Sequence, residues 1–244
     1  MEVKISVITP SFNSEKFIQR AIDSVIMQGY PNFEHIVIDG GSTDTTVAIL
    51  KKYPEIKWIS EIDEGQSDAM NKGFEMASGE LIVYLNSDDY FLPNTFRIVS
   101  NYYSEHDSDV IVGNLCLVQR NETRLDYSEW KFSKIIFPRF FGFPYNPVTY
   151  FYKRRVQEEV GLFPKTENNV MDYWFLIRAF ESRKVSKLNH VFGVFFLHED
   201  CKSFNFDSRK RRQEVVTEFL EAKSLLYRVC YSAVSKFYYF KCKL

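Results

Sequence analysis

Cysteine is scarce and scattered in this 244-residue chain. Its four cysteines, Cys116, Cys201, Cys230 and Cys242, lie far apart, and none forms the C-x-x-C spacing of a redox or zinc motif. We interpret them as free thiols in a reducing compartment. A chain of this length buries a core large enough to fold without disulfides or a structural metal.

Long apolar runs are missing as well. No segment approaches the roughly 20 apolar residues that a membrane-spanning helix needs. The first residues, Val3–Thr9, have the composition of a β-strand rather than that of a signal peptide. We therefore expect a cytoplasmic protein that meets any membrane from its inner face.

Neither sign of charge dominates, because 31 Lys and Arg stand against 32 Asp and Glu, for a formal net charge of −1. This balance argues against a general nucleic-acid-binding surface, so no nucleic-acid partner is expected. Glycine is sparse, with 10 residues, and neither G-x-x-x-x-G-K-[ST] nor G-x-G-x-x-G occurs. The absence of these motifs argues against a P-loop enzyme and against a nicotinamide-dependent enzyme. It also argues against a nucleotidyltransferase, which normally carries a glycine-rich phosphate loop.

Strand-like and helix-like segments alternate over the first hundred residues. The run Leu81–Leu85 is apolar throughout, as in a strand that is buried on both faces. This alternation predicts an α/β fold with a mostly parallel central sheet flanked by helices. Residues 119–150 show no clear period, and a long helical segment begins at Phe206. One compact domain with a C-terminal helical tail is the simplest account.

Polar residues collect at the predicted carboxyl ends of four strands, where open parallel sheets bind ligands. These ends are Thr9–Asn13, Asp39–Asp44, Asp63–Gly65 and Asn86–Asp89. Any one of them is explained equally well as a helix cap, but four at one edge favour a ligand site. Two adjacent acids at the last of these ends suit a divalent ion that also holds a diphosphate.

Four segments resemble, in order and spacing, the motifs of family 2 glycosyltransferases with a GT-A type fold, of the bacterial surface-polysaccharide kind. They are Ile5–Asn13, Ile38–Asp44, Gly65–Gly73 and Leu85–Asp89, and the resemblance covers about residues 3–200. We therefore expect a GT-A catalytic domain over residues 1–205, with a nucleotide-binding half at about 1–105 and an acceptor half at about 106–205. A helical extension would follow at 206–244.

The resemblance also implies roles for single residues. Asp39 would lie near the nucleotide base, Asp89 would bind Mn²⁺ or Mg²⁺ with support from Asp88, and His198 would approach the metal or the diphosphate. Ser87 stands where many members of the family carry a first carboxylate. The residues implied to contact the nucleotide-sugar are Thr9, Pro10, Ser11, Phe12, Asn13, Asp39, Asp68, Lys72, Asn86, Ser87 and Asp88.

Asn168–Trp174 resembles the family segment whose aspartate begins a helix beside the sugar, which makes Asp172 the expected catalytic base. Inverting transfer needs such a base, because the acceptor hydroxyl loses its proton while it attacks opposite the diphosphate. Without the resemblance, Asp172 would be interpreted as a first-turn aspartate favoured by the helix dipole. Lys202 and Ser203 are further candidates for phosphate contacts, and Asn146–Thr149 corresponds to a loop on the acceptor side.

The C-terminal segment 222–244 carries five basic residues and no acidic ones. Its apolar and aromatic residues recur with helical spacing, which is typical of helices that lie on anionic membranes. Packing on the catalytic domain and a homodimer contact explain this pattern equally well.

Together these features predict an inverting glycosyltransferase that moves a sugar from a nucleotide diphosphate donor to a hydroxyl of a surface-glycan or lipid-linked acceptor. A UDP-sugar is the favoured donor. The alternative is a catalytically inactive nucleotide-sugar-binding or scaffolding protein with the same fold.

Overall fold

The computed structural model describes residues 2–119, 122–126, 146–181, 183–199, 201–202, 208–229 and 232. The strands within these residues are β1 (Ile5–Ser11), β2 (Phe33–Asp39), β3 (Lys57–Ser60), β4 (Leu81–Tyr84), β5 (Tyr90–Phe91), β6 (Val110–Gln119), β7 (Glu122–Asp126), β8 (Tyr150–Lys153) and β9 (Val185–Leu197). The helices are α1 (Ile18–Ile26), α2 (Thr46–Leu50), α3 (Gln66–Met76), α4 (Thr95–Glu105), α5 (Arg154–Val160), α6 (Met171–Ala179) and α7 (Ser208–Glu221). Residues 225–229 are also helical.

The strands form a single mixed sheet in the order β3-β2-β1-β4-β8-β6-β9-β5, with β7 paired to β6. β1 pairs in parallel with β2 and β4, and β2 pairs in parallel with β3, as the alternation of strands and helices predicts. β8 runs antiparallel between β4 and β6, whereas β9 is parallel to β6. The parallel half therefore continues into a mixed half without a break in hydrogen bonding.

Helices cover both faces of the sheet, which explains why its central strands are apolar throughout. All residues of β1 and β4 are buried. α1 and α4 contribute to the core on one face, and α3, α5, α6 and α7 contribute to the core on the other. The buried residues of α1 recur with the spacing of one helix face: Ile18, Ala21, Ile22 and Val25.

Close packing brings α3 down onto β1. A Cβ atom at Gly73 would lie 2.3 Å from Cγ2 of Ile8, so this approach is possible only for glycine. The same Cβ atom would lie 3.3 Å from Cγ1 of Ile38, so α3, which begins at Gln66, packs against both β1 and β2.

The predicted C-terminal helix packs on the rest of the chain as α7. Its Val215 is fully buried and Phe219 is 4% exposed, and both belong to the core that contains α6. No helix in the described part of the chain has the length and hydropathy to cross a membrane.

Candidate active site

A cavity of about 910 Å³ opens at the carboxyl edge of the parallel strands. Its wall contains residues at or just after the ends of four strands, namely Pro10–Asn13, Gly40, Asp63 and Asn86–Asp88. The second half of the chain completes the wall with Pro147, Phe195, Asn168, Asn169, Met171, Asp172, His198, Cys201 and Lys202. The four strand ends thus meet at one place, and the later half of the chain closes it.

The loop after β1 is tied to the loop after β2. Asn13 has a φ of 47°, and its Oδ1 accepts a hydrogen bond from the Thr43 N–H at 2.9 Å. The Ser42 hydroxyl accepts a hydrogen bond from the Asn13 N–H at 2.7 Å. This loop leaves Phe12 63% exposed on the cavity wall, so its ring is open to a planar ligand. The buried Ser11 hydroxyl has no hydrogen-bond partner among the described residues.

Two residues predicted to bind the nucleotide lie behind the wall. Thr9 is fully buried, and its Oγ1 lies 2.9 Å from His35 Nε2. The buried Asp39 carboxylate accepts hydrogen bonds from the Ser42 N–H at 2.9 Å, from the Ser42 hydroxyl, and from the Ser60 hydroxyl at 2.7 Å. Neither Thr9 nor Asp39 is part of the cavity wall. Asp39 instead holds the turn on which that wall is built.

Asp88 and His198 meet on the cavity wall. Oδ2 of Asp88 lies 3.1 Å from Nε2 of His198, which directly follows β9. The His198 ring lies 4.3 Å from that of Phe17, measured between centroids. A carboxylate beside an imidazole suits Mn²⁺, and the carboxylate also suits Mg²⁺. No group of three or more His, Cys, Asp or Glu forms a metal cluster within the described residues, so further ligands would come from substrate or water.

Asp89 points away from the cavity, unlike Asp88. Its Oδ2 accepts hydrogen bonds from Nδ2 of Asn86 at 3.0 Å and of Asn146 at 2.8 Å, and its Oδ1 accepts one from the Phe196 N–H at 3.1 Å. Burial and then the charge of Asp88 raise the pKa of Asp89 well above its usual range. This placement corrects the expected orientation of Asp89 toward a cation: N–H donors occupy both oxygens, and Asp88 is the acid on the wall.

Arg20 of α1 supports Asp88 from the protein side, and no sequence signal singled it out. Its Nη2 donates a hydrogen bond to the Asp88 carbonyl at 2.8 Å. The guanidinium carbon lies 4.6 Å from the ring centroid of Tyr90 and 4.5 Å from that of Phe196. Stacking between two rings restricts the arginine, and the arginine in turn fixes the backbone at Asp88.

Asp172 lines the same cavity from the first turn of α6. Its Oδ1 accepts a hydrogen bond from the Tyr173 N–H at 2.7 Å. Burial raises the pKa of Asp172 to about 7; the Tyr173 N–H and the charge of Arg212 oppose this increase, and Glu167 adds to it. A carboxylate with a pKa near neutrality is matched to accepting a proton at physiological pH.

Asp68 and Lys72, which were expected to contact the nucleotide-sugar, do not line the cavity. Asp68 is paired with Lys165 at 2.9 Å and with Lys72 at 3.5 Å, and Lys72 is paired with Glu61 at 2.7 Å. The Asp68–Lys165 pair links α3 to the segment that precedes α6, whereas the Lys72–Glu61 pair links α3 to the residue just after β3. In the structure Asp68 therefore joins the two halves of the chain beside the cavity.

Asn86 and Ser87 both line the cavity. Oδ1 of Asn86 accepts a hydrogen bond from Nε2 of Gln66 at 3.0 Å, and the Ser87 hydroxyl lies 2.9 Å from that of Ser14. The turn after β4 is therefore connected to α3 on one side and to the loop after β1 on the other.

Of the two further phosphate candidates, Lys202 reaches the cavity wall. Its Nζ lies 3.2 Å from Oε1 of Gln66 and 3.4 Å from the Asn168 carbonyl. Ser203 lies outside the described residues. In the predicted acceptor-side loop Pro147 lines the cavity.

Comparison with known proteins places these observations in a family. The family model described as "Glycosyl transferase family 2" matches residues 6–181, which is more than half of the chain. The poly(ribitol-phosphate) beta-N-acetylglucosaminyltransferase TarS of Staphylococcus aureus is 33% identical over 117 residues, covering 45% of this chain and 20% of TarS. The chain spans less than half of the length of the curated relatives it matches.

Solved structures share the fold. S. aureus TarS 1–349 in complex with UDP-GlcNAc matches with a TM-score of 0.69 at 22% identity, covering 93% of this chain and 78% of that one. The mannosyltransferase PcManGT from Pyrobaculum calidifontis, in complex with GDP-Man and Mn²⁺, matches with a TM-score of 0.64 at 17% identity, covering 92% and 66%. These matches confirm the predicted GT-A type α/β fold with a central sheet flanked by helices. The sheet is mixed rather than mostly parallel, because β8, β5 and β7 pair antiparallel with their neighbours.

The different surroundings of the two adjacent acids lead to a stability prediction. Asp89→Ala should lower the free energy of unfolding by about 3 kcal/mol, because it leaves the buried Asn146 amide and two half-buried N–H donors, those of Asn86 and Phe196, without an acceptor. Asp88→Ala is the matched control and should leave that free energy nearly unchanged, since its carboxylate faces the cavity. Urea denaturation measures both variants, and equal destabilisation would contradict the assignment.

Proposed function

The chain belongs to glycosyltransferase family 2, and on that premise we propose that it transfers a sugar from a nucleotide diphosphate to a hydroxyl group of a glycan or lipid-linked glycan, with inversion at the anomeric carbon. One observation carries the proposal: Asp88, with His198 beside it, and Asp172 line a single cavity. A group suited to a cation and a diphosphate thus shares one cavity with a group suited to accept a proton.

The loop after β1 would hold the nucleotide. The exposed ring of Phe12 offers a stacking face to the base, and the unpartnered Ser11 hydroxyl is available for a hydrogen bond. Asp39 would act indirectly, because its hydrogen bonds hold the turn beside Gly40. TarS, solved with UDP-GlcNAc, has the same fold, which favours a UDP-sugar as the donor.

Asp88 and His198 would hold Mn²⁺ or Mg²⁺. When bound, such an ion neutralises the charge that develops on the departing diphosphate. Arg20 keeps the Asp88 backbone in place, so the carboxylate remains on the wall. PcManGT, which shares the fold, was solved with Mn²⁺, and this supports the choice of ion.

Asp172 would act as the base. It accepts the proton of the acceptor hydroxyl while the hydroxyl oxygen bonds to the anomeric carbon and the bond from that carbon to the diphosphate oxygen breaks. Inversion follows because the attacking oxygen approaches the face opposite the leaving group. Burial of Asp172 in a wall shared with the donor site favours catalysis over a binding role alone, since a pKa near 7 suits proton transfer.

We also propose that segment 222–244 contacts an anionic membrane surface. Leu225, Leu226 and Val229 are 71%, 74% and 56% exposed, and the segment carries five basic residues without an acidic one. Exposed apolar side chains among basic ones suit the interface of an anionic membrane, where lipid-linked acceptors lie. A homodimer contact is the competing use of this surface.

The base assignment predicts a defined pH profile. In the unaltered protein, kcat/KM should fall about tenfold for each pH unit below about 7 and level off above it, because only the deprotonated Asp172 accepts a proton. Asp172→Asn should keep UDP binding and lower sugar transfer by about 10²- to 10⁴-fold. Glu75→Gln, at an exposed position of α3 outside the cavity wall, is the control and should change neither property.

These quantities are measured by release of UDP from UDP-sugars with Mn²⁺ across the pH range and by calorimetric titration with UDP. Retained turnover in Asp172→Asn would refute the base, and so would a loss of UDP binding equal to the loss of rate. The same measurements separate the enzyme from an inactive nucleotide-sugar-binding protein, which would release no UDP.

Asp88 should govern the dependence of donor binding on the cation. Asp88→Ala is expected to weaken UDP binding in Mn²⁺ about tenfold or more, because the ion loses its carboxylate ligand. Without a divalent ion, the variant and the unaltered protein should bind UDP alike. Calorimetry with and without Mn²⁺ measures the difference, and an unchanged Mn²⁺ dependence in the variant would assign the ion to other residues.

The membrane proposal is tested by sedimentation with vesicles. The full chain should pellet with vesicles that contain phosphatidylglycerol and remain in solution with pure phosphatidylcholine, because the attraction depends on lipid charge. Truncation after Ser224 should abolish this binding while UDP binding persists. If the truncated protein still pelleted, the segment would not be the membrane contact, and a change from dimer to monomer on truncation would assign it to the homodimer.

A further inference from the structure

A buried ion pair joins α7 to the segment that leads into α6. Glu167 is 4% exposed, and its Oε2 accepts a hydrogen bond from Nε of Arg211 at 2.6 Å. The same guanidinium donates from Nη1 to Glu218 at 2.8 Å and to Glu214 at 3.2 Å on its own helix. Arg211 is therefore held by α7 and directed at Glu167 in a fixed geometry.

Glu167 uses its other oxygen to shape the start of α6. Oε1 accepts hydrogen bonds from the Val170 N–H at 3.1 Å and the Asn169 N–H at 3.3 Å. These residues come immediately before α6, whose second residue is Asp172. The geometry of the turn therefore determines where the Asp172 carboxylate enters the cavity.

The turn is fixed from its other side by α3. The Ser67 hydroxyl donates a hydrogen bond to the Glu167 carbonyl, and the Ser67 N–H donates one to Oδ1 of Asn168 at 3.0 Å. A Cβ atom at Gly65 would lie 2.7 Å from Asn168 Oδ1, so the turn sits directly against the start of α3. Residues 167–170 are thus held between α3 and α7.

We propose that Arg211 is a positioning residue for the sugar transfer: through Glu167 it fixes the turn that carries Asp172, so that proton transfer depends on the docking of α7. The inference rests on the proposed role of Asp172 as the base. It assigns to the C-terminal helix a part in the reaction, although none of the described side chains of α7 lies on the cavity wall.

The electrostatics of Asp172 make this role measurable. Two charged groups act on the pKa of Asp172: Glu167 raises it and Arg212 lowers it. Asp172 in turn affects Tyr150, whose pKa is raised by burial and then by the charge of Asp172. Loss of the Arg211 side chain leaves the Glu167 charge uncompensated beside Asp172. The pKa of Asp172 should then rise, and the acid limb of the rate profile should move to higher pH.

A merely structural role for α7 makes a different prediction, and a second ion pair serves as the control. Lys223, just after α7, pairs with Glu181, just after α6, at 2.7 Å. This pair links the same two helical regions at the end of α6 that is remote from Asp172. Lys223→Ala should therefore disturb docking without altering the pH profile.

The experiment compares kcat, KM and the acid limb of UDP release in Arg211→Ala, Glu167→Gln, their double variant and Lys223→Ala. Arg211→Ala should lower kcat about tenfold or more at unchanged KM for the donor, with its limb at higher pH. Glu167→Gln, which keeps the shape of the side chain but not its charge, should move the limb to lower pH. Adding Glu167→Gln to Arg211→Ala should return the limb toward that of the unaltered protein.

The proposal would be overturned if the acid limb of the pH–rate profile lay at the same pH in Arg211→Ala as in the unaltered protein. It would also be overturned if Lys223→Ala shifted this limb as far as Arg211→Ala does. If Arg211→Ala does not fold, the pH–rate profile of Glu167→Gln tests the proposal instead. An acid limb at the same pH as in the unaltered protein would contradict it. Asp172→Asn separates the failure of this inference from the failure of the proposed function. Retained turnover in Asp172→Asn refutes the role of Asp172 as the base. Lost turnover in Asp172→Asn, together with an unshifted acid limb in Arg211→Ala, refutes only the role of Arg211.

Discussion

The burial of the Asp89 carboxylate is the constraint on which the cavity wall depends. Its oxygens accept hydrogen bonds from N–H groups of Asn86 in the turn after β4, of Asn146 shortly before β8, and of Phe196 in β9. Without this acceptor one buried and two half-buried donors would be unpaired, so the carboxylate holds these three segments together. Because Asp89 is directed inward, the preceding residue, Asp88, faces His198 on the cavity wall.

A second buried carboxylate, that of Glu167, organises the other part of the wall. It joins α7 to the turn before α6, and the backbone of the same turn is bonded to α3. The proposed cation site and the proposed base are thus held by separate buried acids, and each acid accepts hydrogen bonds from distant parts of the chain. Catalysis by positioning requires this rigidity, because the reacting groups must already be in place when the donor and the acceptor are bound.

The sequence predicted the features that depend on local pattern. The strands up to β4 follow from the alternating periods, and the structure shows them. The polar strand ends predicted to bind a ligand lie together at one cavity. The choice between Asp88 and Asp89 could not be made in this way. In the turn after β4 the strand period has ended, and the orientation of Asp89 is set by donors 57 and 107 residues away. The sequence did not identify Arg20 or Arg211 either, because their hydrogen-bond partners are remote in sequence.

A crystal structure with a bound UDP-sugar and Mn²⁺, with anomalous scattering used to locate the ion, tests the central claim most directly. The account predicts the Mn²⁺ peak within coordination distance of Asp88 and the diphosphate, with the Asp172 carboxylate beside the face of the sugar opposite the leaving group. A peak at any other group of residues, or a sugar bound away from Asp172, would contradict it.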